Sequence, residues 1–173
     1  MMRLAFIALL IVSQPLLAQQ NATLRDAARG NVLGLTYWCV EVMLNRVIAA
    51  QVFPGAGFTY RAADRGVNEY GINRGTGHYF DAPAKTAHAR VDDPNRPSGF
   101  CSVYTAHLNQ AEVEATVAET LRQYFQTAQQ RSAASWSVRS ANGLPLLIDI
   151  STIGNNHRYE APGTVQVTMV YPG

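Results

Sequence analysis

Apolar residues recur at helical spacing in the segment 32–52 of the chain. They follow three- and four-residue steps, which places them on one face of a helix, and Pro54 with Gly55 ends the pattern. Residues 35–44 are apolar nearly all round, which indicates a buried helix and leaves a buried strand as the alternative. The spaced positions are Leu33, Tyr37, Val40, Leu44 and Val47.

A polar lead-in, residues 19–30, precedes this helix. Thr23 and Asp26 have the spacing of a capping box, so we expect a short helix there. Gly30 and Asn31 are expected to interrupt it, because both residue types are unfavourable inside helices.

The second long helix is expected to begin after Asn109. Asn is a preferred N-cap, and Glu112 stands three residues later, where a capping box needs an acid. The helix is expected to end near Gln129. Its apolar stripe is Val113, Val117, Leu121, Tyr124 and Ala128.

Six other segments alternate apolar and polar residues or carry short apolar runs, and they are predicted to be strands. Tight-turn signals such as Asn142-Gly143 link them in groups, which favours antiparallel pairing. Residues 63–82 hold four glycines and few aliphatic residues, so a long irregular segment is expected there. The predicted strands are 57–62, 85–92, 100–107, 136–140, 146–153 and 164–171.

These elements predict an α+β fold. The economical arrangement is one antiparallel sheet of about six strands with the two main helices packed on one face. The expected order is α-β-β-β-α-β-β-β. No residue-level repeat relates the two halves.

The first eighteen residues have the pattern of a secretory signal peptide. Arg3 precedes an apolar stretch, residues 4–12, and Ala18 supplies a small residue at a cleavage position. The stretch is too short to cross a hydrocarbon core of roughly 30 Å as a helix. We therefore expect export from a bacterial cytoplasm, cleavage after Ala18, and residues 19–173 as one domain in the periplasm or outside the cell. No membrane span is expected after cleavage.

The chain contains two cysteines, Cys39 and Cys101. In an oxidising compartment such a pair predicts a disulfide, here between the first helix and a strand. Their spacing is not Cys-x-x-Cys, and two cysteines alone are too few for a structural zinc site. Bridged cysteines are also unavailable as nucleophiles.

Basic and acidic residues nearly balance, fourteen against twelve. The composition therefore gives no argument for binding nucleic acid or a membrane surface. Gly75-Thr76-Gly77 lacks the third glycine and the following helix of a dinucleotide-binding loop, so no cofactor is predicted.

A metal-dependent or hydrolytic site would have to use the histidines and aspartates of residues 78–93. The candidates are His78, Asp81, His88 and Asp92, and a strand would place His88, Arg90 and Asp92 on one face. A metal site needs three or four converging ligands, and the helical His-Glu-x-x-His spacing is absent. No Gly-x-Ser-x-Gly motif occurs either. We predict no metal site and assign no enzymatic activity.

The best binding candidate interleaves arginine and tyrosine between residues 60 and 79. Arginine forks onto carboxylate or phosphate groups, and tyrosine adds rigid contact area. The candidate residues for a partner or an anion are Arg61, Arg65, Tyr70, Arg74 and Tyr79. The alternative is a solvated loop whose rings fold back onto the core.

The sequence thus leaves two hypotheses. The first is an exported, non-enzymatic protein that binds another periplasmic or envelope protein, as an inhibitor, an immunity-type protein or an accessory. The second is a small periplasmic hydrolase or metal-dependent enzyme that uses residues 78–93.

Overall fold

The computed structural model describes residues 5–67, 73–92, 99–155, 157 and 160–172, with the backbone alone for residues 5–18, 62–67 and 73–76. Within them the chain forms three α-helices and eight strands. The helices are α1 (Ala5–Asn45), α2 (Ala49–Gly55) and α3 (Gln110–Tyr124), and Pro83–Lys85 form a 3-10 turn. The strands are β1 (Thr59–Val67), β2 (Asn73–Asp81), β3 (His88–Val91), β4 (Phe100–Thr105), β5 (Gln129–Ser132), β6 (Ser135–Arg139), β7 (Pro145–Thr152) and β8 (Val165–Val170).

All eight strands belong to one antiparallel sheet, in the order β1-β2-β3-β4-β8-β7-β6-β5. The predicted α+β class is confirmed, although the sheet has eight strands where about six were expected. The order shows two units of one topology: a first unit from α1 to β4 and a second unit from α3 to β8. In each, a four-stranded meander follows the helical part, which is α1 and α2 in the first unit and α3 in the second. The two meanders join where β4 pairs with β8 from Phe100↔Val170 to Thr105↔Val165.

The prediction of an irregular segment at residues 63–82 is wrong for the described part of that range, because β1 and β2 form an antiparallel hairpin there. The backbone pairing of the two strands supplies their hydrogen bonds whatever the side-chain pattern. The glycines that suggested a loop have another role in at least one place: a Cβ at Gly77 would lie 2.9 Å from the Nε atom of Arg90. A glycine in a strand often marks such a close approach.

The expected interruption of the first helix is also wrong, because α1 runs unbroken through Gly30 and Asn31. The Asn31 amide donates hydrogen bonds to the Pro83 carbonyl and to Thr86 Oγ1, both at 2.8 Å. Tertiary contacts therefore outweigh its modest helix propensity. The predicted helix over 32–52 is instead divided at residues 46–48, where Arg46 has a φ of 52°.

The structure differs from the prediction in two further places, at the end of α3 and in the residues that follow it. The second helix ends at Tyr124, short of the expected Gln129, and residues 129–132 form the edge strand β5. All four β5 residues are exposed, so they carry no buried pattern that a sequence could display. The capping box is confirmed: the Asn109 side chain accepts from the Glu112 amide at 3.0 Å, and the Glu112 carboxylate accepts from the Asn109 amide at 2.9 Å.

The core lies between the helices and one face of the sheet. Leu35 of α1 and Leu121 of α3 are fully buried there against strand residues such as Val103, Ile148 and Val167.

The predicted disulfide is confirmed: Cys39 of α1 is bonded to Cys101 of β4, with 5.6 Å between their Cα atoms. Closing this 62-residue loop is worth about 4 kcal/mol in the chain-entropy model. In the described part of the chain, no helix combines the length and apolar character needed to cross a bilayer.

Candidate functional site on the outer face of the sheet

The candidate site lies on the sheet face opposite α1 and α3, which we call the outer face. Strand side chains alternate between faces. Because Ala89 and Cys101 belong to the core, their neighbours Arg90 and Ser102 project from the other side. The outer face carries Tyr79, Asp81, His88, Arg90, Phe100, Ser102, Tyr104, Gln166 and Thr168.

Two arginines flank the ring of Tyr79. The guanidinium carbon of Arg61 lies 4.9 Å from the ring centroid and that of Arg90 lies 5.7 Å from it. Arg61 also contacts a carboxylate, with its Nε 3.4 Å from Asp81 Oδ1. At exposed positions a cation–π contact is worth about 0.5–1 kcal/mol. These contacts hold both the ring and the guanidinium groups in defined positions.

A second cluster lies beside this one, around Tyr104. The imidazole of His88 stacks on the Tyr104 ring with 4.9 Å between centroids, and its Nε2 lies 2.9 Å from Glu160 Oε1. Gln166 Nε2 donates to the Tyr104 hydroxyl at 3.2 Å. Burial raises the pKa of Tyr104 above its ordinary value, which the nearby Ser102 and Arg90 offset only in part. Tyr104 is thus a neutral phenol at physiological pH.

Of the five candidates in the predicted Arg/Tyr loop, two have described side chains, Arg61 and Tyr79. Arg61 and Tyr79 lie in contact on neighbouring strands. Arg65 and Arg74 belong to β1 and β2, where the backbone alone is described, and Tyr70 lies outside the described residues. The candidates therefore reside mainly on a paired hairpin.

The four metal candidates do not converge among the described residues. His78 shares the face of the buried Phe80, and its ring lies 5.9 Å from that of Tyr60. Asp81 and His88 are cross-strand partners on the outer face, and Asp92 is buried after the end of β3. No three His, Cys, Asp or Glu side chains in the described ranges are arranged to hold a metal ion. His78 and Asp81 are kept apart because an odd spacing along a strand puts two side chains on opposite faces.

The sequence did not predict several residues of the outer face to be binding residues. The alternation of β3 and β4 contained the signal for Arg90, Phe100 and Tyr104, since each stands next to a core residue. No local signal marks Glu160, because its contact with His88 joins positions 72 residues apart.

No protein-family model matches this chain, and no curated protein or solved structure is significantly similar to it. The fold and the outer face define the class: an α+β domain with a disulfide-anchored helix layer and an arginine- and tyrosine-bearing sheet face.

Proposed function

We propose that this chain is an exported, non-enzymatic binding protein that recognises another periplasmic or envelope protein through its outer face. In this role it is an inhibitor, an immunity-type protein or an accessory of its partner. The observation that carries the proposal is the pair of arginines flanking Tyr79 on the outer face. Tyrosine and arginine are enriched where proteins bind one another, because both bury a large area at a defined geometry.

The arrangement of Arg61 and Tyr79 supports recognition more than a purely structural role. The Arg61 side chain is half exposed, so its guanidinium retains donors that a partner can use. The ring beneath it and the Asp81 carboxylate beside it already restrict its rotamers. Such preorganisation reduces the side-chain entropy that is lost on binding.

Export is supported by the leader pattern and by the disulfide, which belongs in an oxidising compartment. Among the described side chains of α1, the first that enters the core is Ala28. Cleavage after Ala18 would therefore leave these core contacts in place. The hydrolase or metal-dependent alternative has no observation in its favour among the described residues.

Partner binding is tested by affinity capture from a periplasmic extract of the source bacterium. The bait is compared with an Arg61→Ala/Tyr79→Ala double variant, and with Arg131→Ala as a control for loss of an exposed arginine on the opposite sheet edge. We expect one stoichiometric partner, retained by the bait and the control and reduced at least about tenfold by the double variant. Equal capture by all three, or capture of no stoichiometric partner, would contradict the proposal.

Export is tested by sequencing the N-terminus of the protein recovered from each cell fraction. We expect a chain that begins at Gln19 in the periplasm or the medium. An intact N-terminus in a cytoplasmic product would contradict this part of the proposal.

A further inference from the structure

We infer that Arg90 is the anchor of an oxyanion site on the outer face, which takes a carboxylate or a phosphate group from the ligand. The inference rests on the proposed function, because the anion belongs to whatever the outer face binds. It goes further by naming the anchoring residue and the chemical group recognised.

The Arg90 guanidinium lies between two aromatic rings. Its carbon lies 5.7 Å from the centroid of Tyr79 on β2 and 5.3 Å from that of Phe100 on β4. The rings are contributed by the strands on either side of β3. Stacking of this kind occupies the faces of a guanidinium and leaves its in-plane N–H donors for acceptors.

The N–H donors of Arg90 lack an acceptor within the described residues. The Nε atom is buried and has no hydrogen-bond partner there, and no described carboxylate lies within 4.0 Å of the guanidinium. Arg25, Arg61 and Arg122, in contrast, each contact Glu112, Asp81 and Gln130 respectively. A buried donor without an acceptor costs about 1–3 kcal/mol, so a charged donor in this state calls for an explanation.

A glycine on the neighbouring strand leaves space for the Arg90 side chain. Gly77 lies beneath its side chain, where a Cβ atom would come within 2.9 Å of Nε and 3.5 Å of Nη2. The absence of a side chain at residue 77 thus lets Arg90 lie across β2.

Two hydroxyl groups lie in the same cross-strand row as Arg90. Ser102 is the cross-strand partner of Arg90 and is almost fully buried, and Thr168 is the next residue in the same row. The hydroxyls of Ser102 and Thr168 are 3.5 Å apart, a long contact that can yield to a better acceptor. A planar carboxylate or a phosphate suits this site, because a guanidinium binds either through two parallel N–H···O bonds.

The test uses the full mature chain without any partner, titrated with inorganic phosphate and with acetate. Binding is followed by NMR of the arginine Nε–Hε signals and of the backbone amide signals of Tyr79 and Ser102, the cross-strand partners of Arg90, which remain observable in every variant. We expect a saturable shift of the Arg90 signal with at least one of the two anions. Saturation by phosphate alone assigns a phosphate-bearing ligand, and saturation by acetate assigns a carboxylate. Absence of saturation with both anions overturns the inference.

Two variants and one control make the assignment specific. Arg90→Gln is expected to weaken anion binding at least about tenfold, and Gly77→Ala to weaken it as well, by displacing the guanidinium. Arg122→Gln is the matched control, because Arg122 also stacks on a ring, that of Trp136 at 5.1 Å, yet already has Gln130 as acceptor. Binding that survives both Arg90→Gln and Gly77→Ala, or that is lost in Arg122→Gln, overturns the inference.

Because no partner is present in this titration, its outcome is separate from that of the capture experiment. Anion binding without a captured partner would contradict only the proposed function. A captured partner without anion binding would contradict only the role of Arg90. If Arg90→Gln does not fold, the Gly77→Ala titration decides alone, since that variant retains the arginine.

Discussion

The first and second units share one topology, but their helices are attached to the molecule by different means. In the first unit, a covalent bond between Cys39 and Cys101 ties α1 to the sheet. In the second, α3 has no such bond and depends on its buried stripe and on the Asn109–Glu112 capping box. Arg25 of α1 also contacts the Glu112 carboxylate, so the cap joins the two helices.

The two units also differ in the side chains that they contribute to the outer face. The strands of the first unit contribute Arg61, Tyr79, His88, Arg90 and Tyr104 to it. Those of the second contribute mostly neutral side chains such as Gln166 and Thr168, together with Asp149, which accepts from the Ser135 hydroxyl at 2.7 Å, and the exposed Arg139 at the end of β6. Both units complete one core, whereas the charged and aromatic side chains are concentrated on one of them. The shared topology thus sets the core-facing positions and leaves the other face free to specialise.

The largest effect is expected from breaking the bond that distinguishes the first unit. Cys39→Ser and Cys101→Ser should each lower the free energy of unfolding by about 4 kcal/mol, because the closed loop no longer restricts the unfolded chain. The double variant should be no less stable than either single variant. Thermal unfolding of the oxidised proteins measures this. Strongly unequal or additive losses would show that the two residues do not act as one bridge.

A smaller effect is expected from removing the cap of the second unit. Asn109→Ala should lower the free energy of unfolding by about 1 kcal/mol, since the Glu112 amide loses its acceptor. Gln123→Ala is the control, because it removes an exposed amide side chain from the same helix without touching the cap. Urea unfolding measures both, and an equal loss in the two variants would argue against the cap.

The same cap predicts a pH dependence. The hydrogen bond from the Asn109 backbone, and then the contact with Arg25, lower the pKa of Glu112 below its usual value of 4.5. A carboxylate with a depressed pKa in the folded state stabilises the protein above its unfolded-state pKa. That stabilisation is lost as the pH falls through the lower, folded-state value. Glu112→Gln should therefore flatten the stability profile below pH 4.5, and an unchanged profile in urea unfolding at acid pH would contradict the assignment.

The smallest effect is expected at Tyr104, on the outer face of the first unit. Because burial raises its pKa above 10.0, the unfolded chain ionises this phenol first. Its contribution to stability is complete below pH 10.0 and declines as the pH rises toward the folded-state value. Tyr104→Phe should remove that decline and one late step from the tyrosinate absorbance titration. An unchanged number of late-titrating tyrosines would contradict the prediction.

Much of the core side of this protein could be predicted from its sequence. The stripe of α3, its capping box, the alternation of β8 and the pairing of Cys39 with Cys101 depend on local spacing or on simple counting. Those signals are strong because a buried face must repeat with the period of its element. Arg61 and Tyr79 were candidates on a different ground, namely the interleaving of arginine and tyrosine between residues 60 and 79.

The tertiary structure alone decided the remainder. Pairing between strands turned a glycine-rich segment into a hairpin, and contacts with Pro83 and Thr86 kept α1 continuous at Asn31. It also brought Arg90 between Tyr79 and Phe100, above Gly77. No local sequence pattern predicts any of these features, because each depends on which elements become neighbours in the fold. The sequence by itself determined which residues must be buried, whereas the order of the strands decided which polar residues meet on the opposite face.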